Sequence, residues 1–322
     1  MSKQIGILRI GVTVAAAAAF VATWSSGFLV PAIATEASAL TLLVWRFVPL
    51  AAVLIVIVLA SGAARGVPRA DVRRQALIGV FAQFGYCAAV YAAIAAGVAT
   101  GTTALIDAVQ PLVVAMLVGP LLGLRVRAAQ WAGLVLGAVG VLLVVRSQLG
   151  GSDAPPSAYL LPALAMACLI VGTFLQRRSA VQTGVLLTLT IHVTVTAVAL
   201  VLIAAFAGAL VPPASVSFWI AAAFSAVFPT LAAYGLYWWL LRRVGITALN
   251  ALLFLVAPAT AAVGALLLGE QLTAMTLIGF VLCGAGVAMV LASESRASRT
   301  RHQHPLTLRS RRGSGVPAAG RP

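Results

Sequence analysis

Residues 133–140 read GLVLGAVG and residues 279–286 read GFVLCGAG. Gly133 matches Gly279 and Gly140 matches Gly286, both at a shift of 146 in a chain of 322 residues. The same register holds elsewhere. Phe28 falls opposite Phe174 and Arg46 opposite His192 at 146, while Thr100 meets Thr247 and Pro111 meets Pro258 at 147. A single match in Ala-, Val- and Gly-rich text carries little weight. The common order and the nearly constant shift make the chain two copies of one unit.

Composition sets the solvent of that unit. The chain is 62% hydrophobic and 8% charged, against about 25% charged in a soluble domain. So few charges cannot cover a water-facing surface, and the surroundings are lipid. The net charge of +15 does not indicate nucleic acid, because the basic residues sit in short clusters between apolar runs, not over one folded face. Cys87, Cys168 and Cys283 all lie inside apolar runs with neither metal nor redox spacing.

A bilayer core of about 30 Å takes roughly 20 helical residues. The chain divides into ten apolar segments, near 10–33, 38–60, 76–96, 101–122, 128–146, 158–176, 183–207, 215–240, 246–268 and 273–292. Runs of this length must satisfy their own backbone, so each is expected to be a helix. Of the 21 basic residues, all but Arg46 and Arg146 fall at the two termini or in every second connection. That alternation implies ten transmembrane helices with both termini cytoplasmic. Lys3 and Arg9 followed by an apolar run and Ala32-Ile33-Ala34 also resemble a signal peptide, but the run exceeds the usual 7–15 residues. An uncleaved first helix is therefore expected.

The expected architecture is an all-α polytopic membrane protein. Its parts are a first five-helix repeat at 1–148, a second at 149–292, and a basic disordered tail at 293–322. Five is odd, so the second copy starts on the opposite side and the halves are inverted. Inverted repeats recur in secondary transporters, where exchanging the conformations of two similar halves exposes one central site alternately. A membrane receptor or scaffold, the alternative to transport, has no such need.

Particular residues carry a family resemblance: Trp24-Ser25-Ser26-Gly27-Phe28, Trp45-Arg46-Phe47, the stretch from Tyr91 to Pro111, and its copy from Tyr237 to Pro258 followed by Leu268-Gly269-Glu270. Over residues 10–292 the chain resembles the EamA-like members of the drug/metabolite transporter superfamily. The resemblance implies ten helices in two repeats and movement of amino acids, their derivatives or other metabolites, with export favoured. The chain departs from the pattern at Val30-Pro31, where a basic residue is usual, and at Gly123, which lies opposite Glu270.

Ionisable groups inside a membrane are costly and mark a cavity or a partner. Arg46 and Asp107 lie at similar depths from the outer ends of the second and fourth helices, so a pair between them is available. Either Arg46 receives a substrate carboxylate while Asp107 competes or takes a proton, or the two form a static ion pair. His192, in the repeat position of Arg46, either couples protons or is a neutral ring bonded to a nearby threonine hydroxyl. Pro111 and Pro258 either bend their helices or, with Gln110 and Asn250, line a cavity at broken backbone. Tyr91 and Tyr234 are candidate cavity residues, and Trp238 and Trp239 are expected as interface anchors. The ridges of Gly133, Gly137, Gly140, Gly279 and Gly286 admit close backbones, either between helices five and ten or in a homodimer. Glu270 reads as an outer-loop carboxylate. No nucleotide loop, metal cluster, cofactor motif or nucleophile pattern occurs. The expected partners are therefore lipid and a small-molecule substrate, and the location is the bacterial inner membrane. An ion or substrate gradient would drive the cycle.

Overall fold

The computed structural model describes residues 2–33, 36–98, 103, 107–146, 154–179, 183–268 and 273–303. Glu270, Thr100 and residues 304–322 lie outside the described residues. Helix is the regular structure throughout the described residues. In chain order the helices are α1 (Ser2–Ile33), α2 (Ala39–Ser61), α3 (Arg69–Ala95), α4 (Gln110–Leu122) and α5 (Ala128–Arg146). There follow α6 (Pro156–Arg178), α7 (Val185–Ala207), α8 (Val216–Val244), α9 (246–268) and α10 (Ala274–Gln303). Seven of them are long and apolar enough to cross a membrane among the described residues, and Gln110–Leu122, Ala128–Leu143 and Ile246–Thr260 are shorter apolar helices.

The repeat reaches into backbone detail. α2 and α7 begin and end 146 residues apart, and each stops at a left-handed glycine, Gly62 (φ 68°) and Gly208 (φ 67°). Only glycine adopts that conformation without crowding a Cβ. α3 contains a π-helical turn at Val80–Gly85, and α8 contains one at Val227–Ala232, 147 residues later. Such turns insert a residue into the helical ladder and are frequent at functional sites. α9 is broken by a 3-10 turn at Leu253–Leu255, and α4 starts after a turn at Ala108 and Val109, the equivalent place. Pro111 and Pro258 therefore stand in the first turn of a restarted helix, where a missing amide hydrogen costs nothing, and not mid-helix.

Counterpart helices run antiparallel. The start of α2 meets the end of α7, with Thr41 donating to the Ala209 carbonyl at 3.0 Å, while Val58 near the other end of α2 packs on Leu187 and Ile191. α5 and α10 share the most extensive helix contact, also antiparallel. A Cβ on Gly133 would lie 2.7 Å from the Gly286 carbonyl, and one on Gly140 would lie 2.7 Å from that of Gly279. A Cβ on Gly137 would enter the Phe254 ring at 2.6 Å. Both ridges are thus buried inside one chain. α1 packs on α8 as α6 packs on α3. The two halves are related by a pseudo-two-fold axis across the helices, which is the geometry of an inverted repeat.

Arginines gather at one end of the bundle and hold helix termini. Arg178 donates to the Leu121 carbonyl, Arg74 to that of Arg178, Arg242 to that of Thr183, and Arg127 to that of Ser293. Cations there meet the negative ends of α4 and α6, while Arg127 meets α10 ten residues before its end. α3 begins at Arg69, ahead of the expected apolar start, and α10 continues to Gln303, into the segment expected to lack structure.

Candidate functional site

Near the middle of the bundle lies a cavity of about 30 Å³. α1 contributes Trp24 and Gly27, α2 Arg46, α3 Tyr86, Cys87, Val90 and Tyr91, and α8 Pro229 and Tyr234. Cys87 and Tyr234 are repeat mates at a shift of 147 and touch, Sγ to hydroxyl, at 3.5 Å. The cavity therefore sits beside the pseudo-two-fold axis.

Arg46 is 2% exposed. Its Nε donates to the Thr230 hydroxyl at 2.6 Å, Nη1 to the Tyr91 hydroxyl at 2.9 Å, and Nη2 to the Pro229 carbonyl at 3.2 Å. The Pro229 carbonyl and Thr230 both lie in the π-turn of α8 and face α2. Phe47 and Tyr91 present ring faces to the guanidinium at 5.1 and 5.7 Å. All of these partners are neutral. The pair with Asp107 that the sequence makes available does not form. Equal depth along two helices says nothing about the direction around each one, and Asp107 faces Tyr86 instead, accepting its hydroxyl at 3.0 Å through Oδ2. Asp107 Oδ1 is buried without a partner.

Below Arg46, toward the arginine-rich end, aromatic rings fill the centre. Trp24 lies 5.1, 5.4 and 5.7 Å from Tyr234, Tyr237 and Tyr86. Beyond this layer His192 is fully buried, with Nε2 3.1 Å from the Gln75 amide oxygen and its ring edge-on to Trp238. The expected threonine partner is replaced by an amide from α3, while the Thr196 hydroxyl donates to the His192 carbonyl. Trp238 is 1% exposed, so it is a core residue and not an interface anchor. Trp239 is half-buried and stacks under Arg243. Gln110 and Asn250 meet beside the helix breaks, Nε2 to Oδ1 at 2.8 Å.

The structure thus places Arg46, Tyr91 and Tyr234 on one cavity, Asp107 one residue away from it through Tyr86, and His192, Gln110 and Asn250 elsewhere in the core. Sequence reasoning missed Thr230, Pro229, Tyr86, Gln75 and Gln83. A signal existed for one pair: Gln83 and Thr230 are polar groups in apolar runs at a shift of 147.

Inverted helical repeats around a central buried charge define a polytopic membrane protein of the transporter type. The sequence matches the EamA-like transporter family twice, over residues 9–146 and 156–292. The chain belongs to that family, and is a multi-span membrane transporter of the drug/metabolite type. Among curated proteins none matches. A solved crystal structure shares the fold with a TM-score of 0.73 at 19% identity, covering 88% of this chain and 99% of its own.

Proposed function

We propose that the protein is a secondary transporter of the bacterial inner membrane that moves small carboxylate-bearing metabolites, amino acids or related compounds, outward by alternating access. Ten helices span, and the arginine-rich end with both termini is cytoplasmic, in accord with the positive-inside rule. The observation that carries the reading is Arg46, a buried cation whose partners are all neutral. Burying an unneutralised charge costs several kcal/mol, and a visiting carboxylate offsets that cost through charge-assisted bonds to the planar guanidinium. Asp107 supplies a second ionisable group beside the cavity, available to a driving proton. A void of about 30 Å³ holds little more than a water. α2 and α8 therefore separate around Arg46 to admit solute, and the four-ring layer beneath blocks through-flow meanwhile.

The test is untargeted metabolite profiling of medium and cytosol from matched overexpressing and deletion strains. One carboxylate class leaving on overexpression and accumulating inside on deletion is the expected result. If neither pool changes under several growth conditions, export is wrong, and import, or the receptor or scaffold reading, takes its place.

A further inference from the structure

The residues around Arg46 have mates across the pseudo-two-fold axis. His192 stands for Arg46 at a shift of 146, and Trp238 for Tyr91 and Gln83 for Thr230 at 147. The mates are also neighbours. His192 lies edge-on to Trp238 at 5.3 Å, as Arg46 lies against Tyr91. Gln75 and Gly79 lie four residues apart on the face of α3 that meets α7, and Gln83 follows in the π-turn that α7 also contacts. Gln75 bonds His192, and a Cβ on Gly79 would lie 2.9 Å from the His192 Cα.

The two sides differ in closure. α2 meets α8 mainly through Val216–Ala226, and the π-turn reaches α2 through the bonds of Thr230 and Pro229 to Arg46, with the cavity beside them. α7 lies directly on the π-turn of α3 as well as on the segment before it. On that closed side the polar atoms lack partners: both ends of the Gln83 amide, His192 Nδ1 and Trp238 Nε1 are buried and unbonded. Buried polar groups in native proteins are almost always paired. Arg46, Tyr91 and Thr230 are bonded to one another, so orphan atoms on their mates His192, Trp238 and Gln83 indicate groups that find partners in another conformation.

We propose that His192, Gln75, Gln83 and Trp238 form a second solute station, shut in this conformation and opened when the halves exchange arrangement, which receives neutral hydrogen-bonding groups of the transported solute. The proposal rests on the transporter reading above. Trp238 Nε1–H and the Gln83 amide N–H groups donate, while Gln83 Oε1 and His192 Nδ1 accept, so the station suits an amine, amide or hydroxyl. A carboxylate remains the business of Arg46. Solute passing toward or from the arginine-rich end would touch both stations in turn.

Two measurements on the full chain in lipid nanodiscs or proteoliposomes test this. Gly79→Ala inserts a methyl group against the α7 backbone and should hold α7 off α3. Labelling of His192 by diethyl pyrocarbonate, located by mass spectrometry, should then rise at least fivefold over wild type. No rise overturns the station whatever the solute proves to be. Gln83→Leu keeps the volume and removes both orphan atoms, so its thermal midpoint should hold or rise. Uptake of an equimolar mixture of the twenty common L-amino acids should nevertheless fall at least tenfold. Wild-type-like uptake, or a lowered midpoint, overturns the proposal. A wild-type protein that moves none of the mixture counts against the amino-acid reading, and the labelling result still decides the station.

Discussion

Arg46→Gln separates a cation held for a ligand from one held for packing. The substitution removes a donor to Thr230, Tyr91 and Pro229. Thr230 keeps a second bond, donating to the Ser225 carbonyl at 2.8 Å, and Tyr91 keeps its side-chain bond with Ser225, so the loss falls chiefly on the Pro229 carbonyl. A buried polar group left unpaired costs about 1–3 kcal/mol, and the glutamine amide recovers part of that. Against this stands the desolvation of a guanidinium with no anion, worth several kcal/mol in the opposite direction. The opposing contributions are similar, so folding stability should move by no more than about 2 kcal/mol. Solute binding has no such compensation. Removing one member of a buried charge pair costs about 3–5 kcal/mol, which at 1.4 kcal/mol per decade is roughly 140- to 4,000-fold in affinity. Thermal unfolding in nanodiscs, with solute movement measured in the deletion strain, reads both. Transport within threefold of wild type at equal expression refutes the argument, as does a large loss of stability with transport per folded molecule intact. Arg46→Lys is expected between the two, since a point charge cannot reproduce three divergent donors.

Gly286→Ala puts a Cβ 2.5 Å from the Gly133 carbonyl, and the resulting overpacking should cost about 1–3 kcal/mol, read as a lowered thermal midpoint. Gly284→Ala meets nothing within 4 Å and should leave the midpoint unchanged. Hydrogen bonds from Ser215 and Ser217 hold the exposed Glu36 carboxylate below its usual range. Because the folded value is the lower one, this tether between the α1–α2 and α7–α8 connections is complete above the ordinary carboxylate range and is lost as pH falls through the lowered value. Protection factors at 36–38, corrected for the intrinsic pH dependence of amide exchange, should therefore fall on acidification in wild type and not in Glu36→Gln. Asp107→Asn keeps an oxygen for Tyr86 and should fold normally. If Asp107 carries the driving proton, the variant exchanges solute but does not accumulate it against a gradient in proteoliposomes, and uphill movement by the variant removes Asp107 from coupling.

Much of the fold is legible because lipid enforces it. The expected segments 38–60 and 183–207 lie within two residues of Ala39–Ser61 and Val185–Ala207. Charge clusters mislocate other ends, since Asp71, Arg73 and Arg74 lie inside α3 and Arg296 to Arg301 inside α10. Charges mark where the apolar solvent stops, whereas a helix continues into water. The site is half legible for a related reason. A lone Arg46 in an apolar run announces itself, but its partners Thr230 and Pro229 come from the other half and are unremarkable residues in a Thr-, Ala- and Val-rich text. The π-turn that presents them leaves no mark in composition. Asp107 shows the converse error: its depth is correctly read, yet its azimuth belongs to Tyr86.

If the halves were identical, the conformation seen here and its mirror, with the roles of the repeats exchanged, would have equal energy. The mates are not identical. Gly79 lets the α7 backbone close on α3, and its mate at a shift of 147 is Ala226, which carries a Cβ at the matching place on α8. Closure at the His192 side is therefore sterically easier than closure at the Arg46 side, and the resting state should be the one observed. Exchanging the two residues, Gly79→Ala with Ala226→Gly, should invert the preference without changing the fold. A methyl group forced against backbone costs about 1–3 kcal/mol, so moving it from one side to the other changes the balance by about 2–6 kcal/mol and shifts the equilibrium by roughly 30- to 20,000-fold. The readout is paired: labelling of His192 should rise in the double variant, while a cysteine placed at Val90 on the Arg46 cavity should become less reactive to a water-soluble maleimide. Reactivities that move together, or not at all, would mean that the two sides are not alternately exposed and that the inverted repeat serves packing alone.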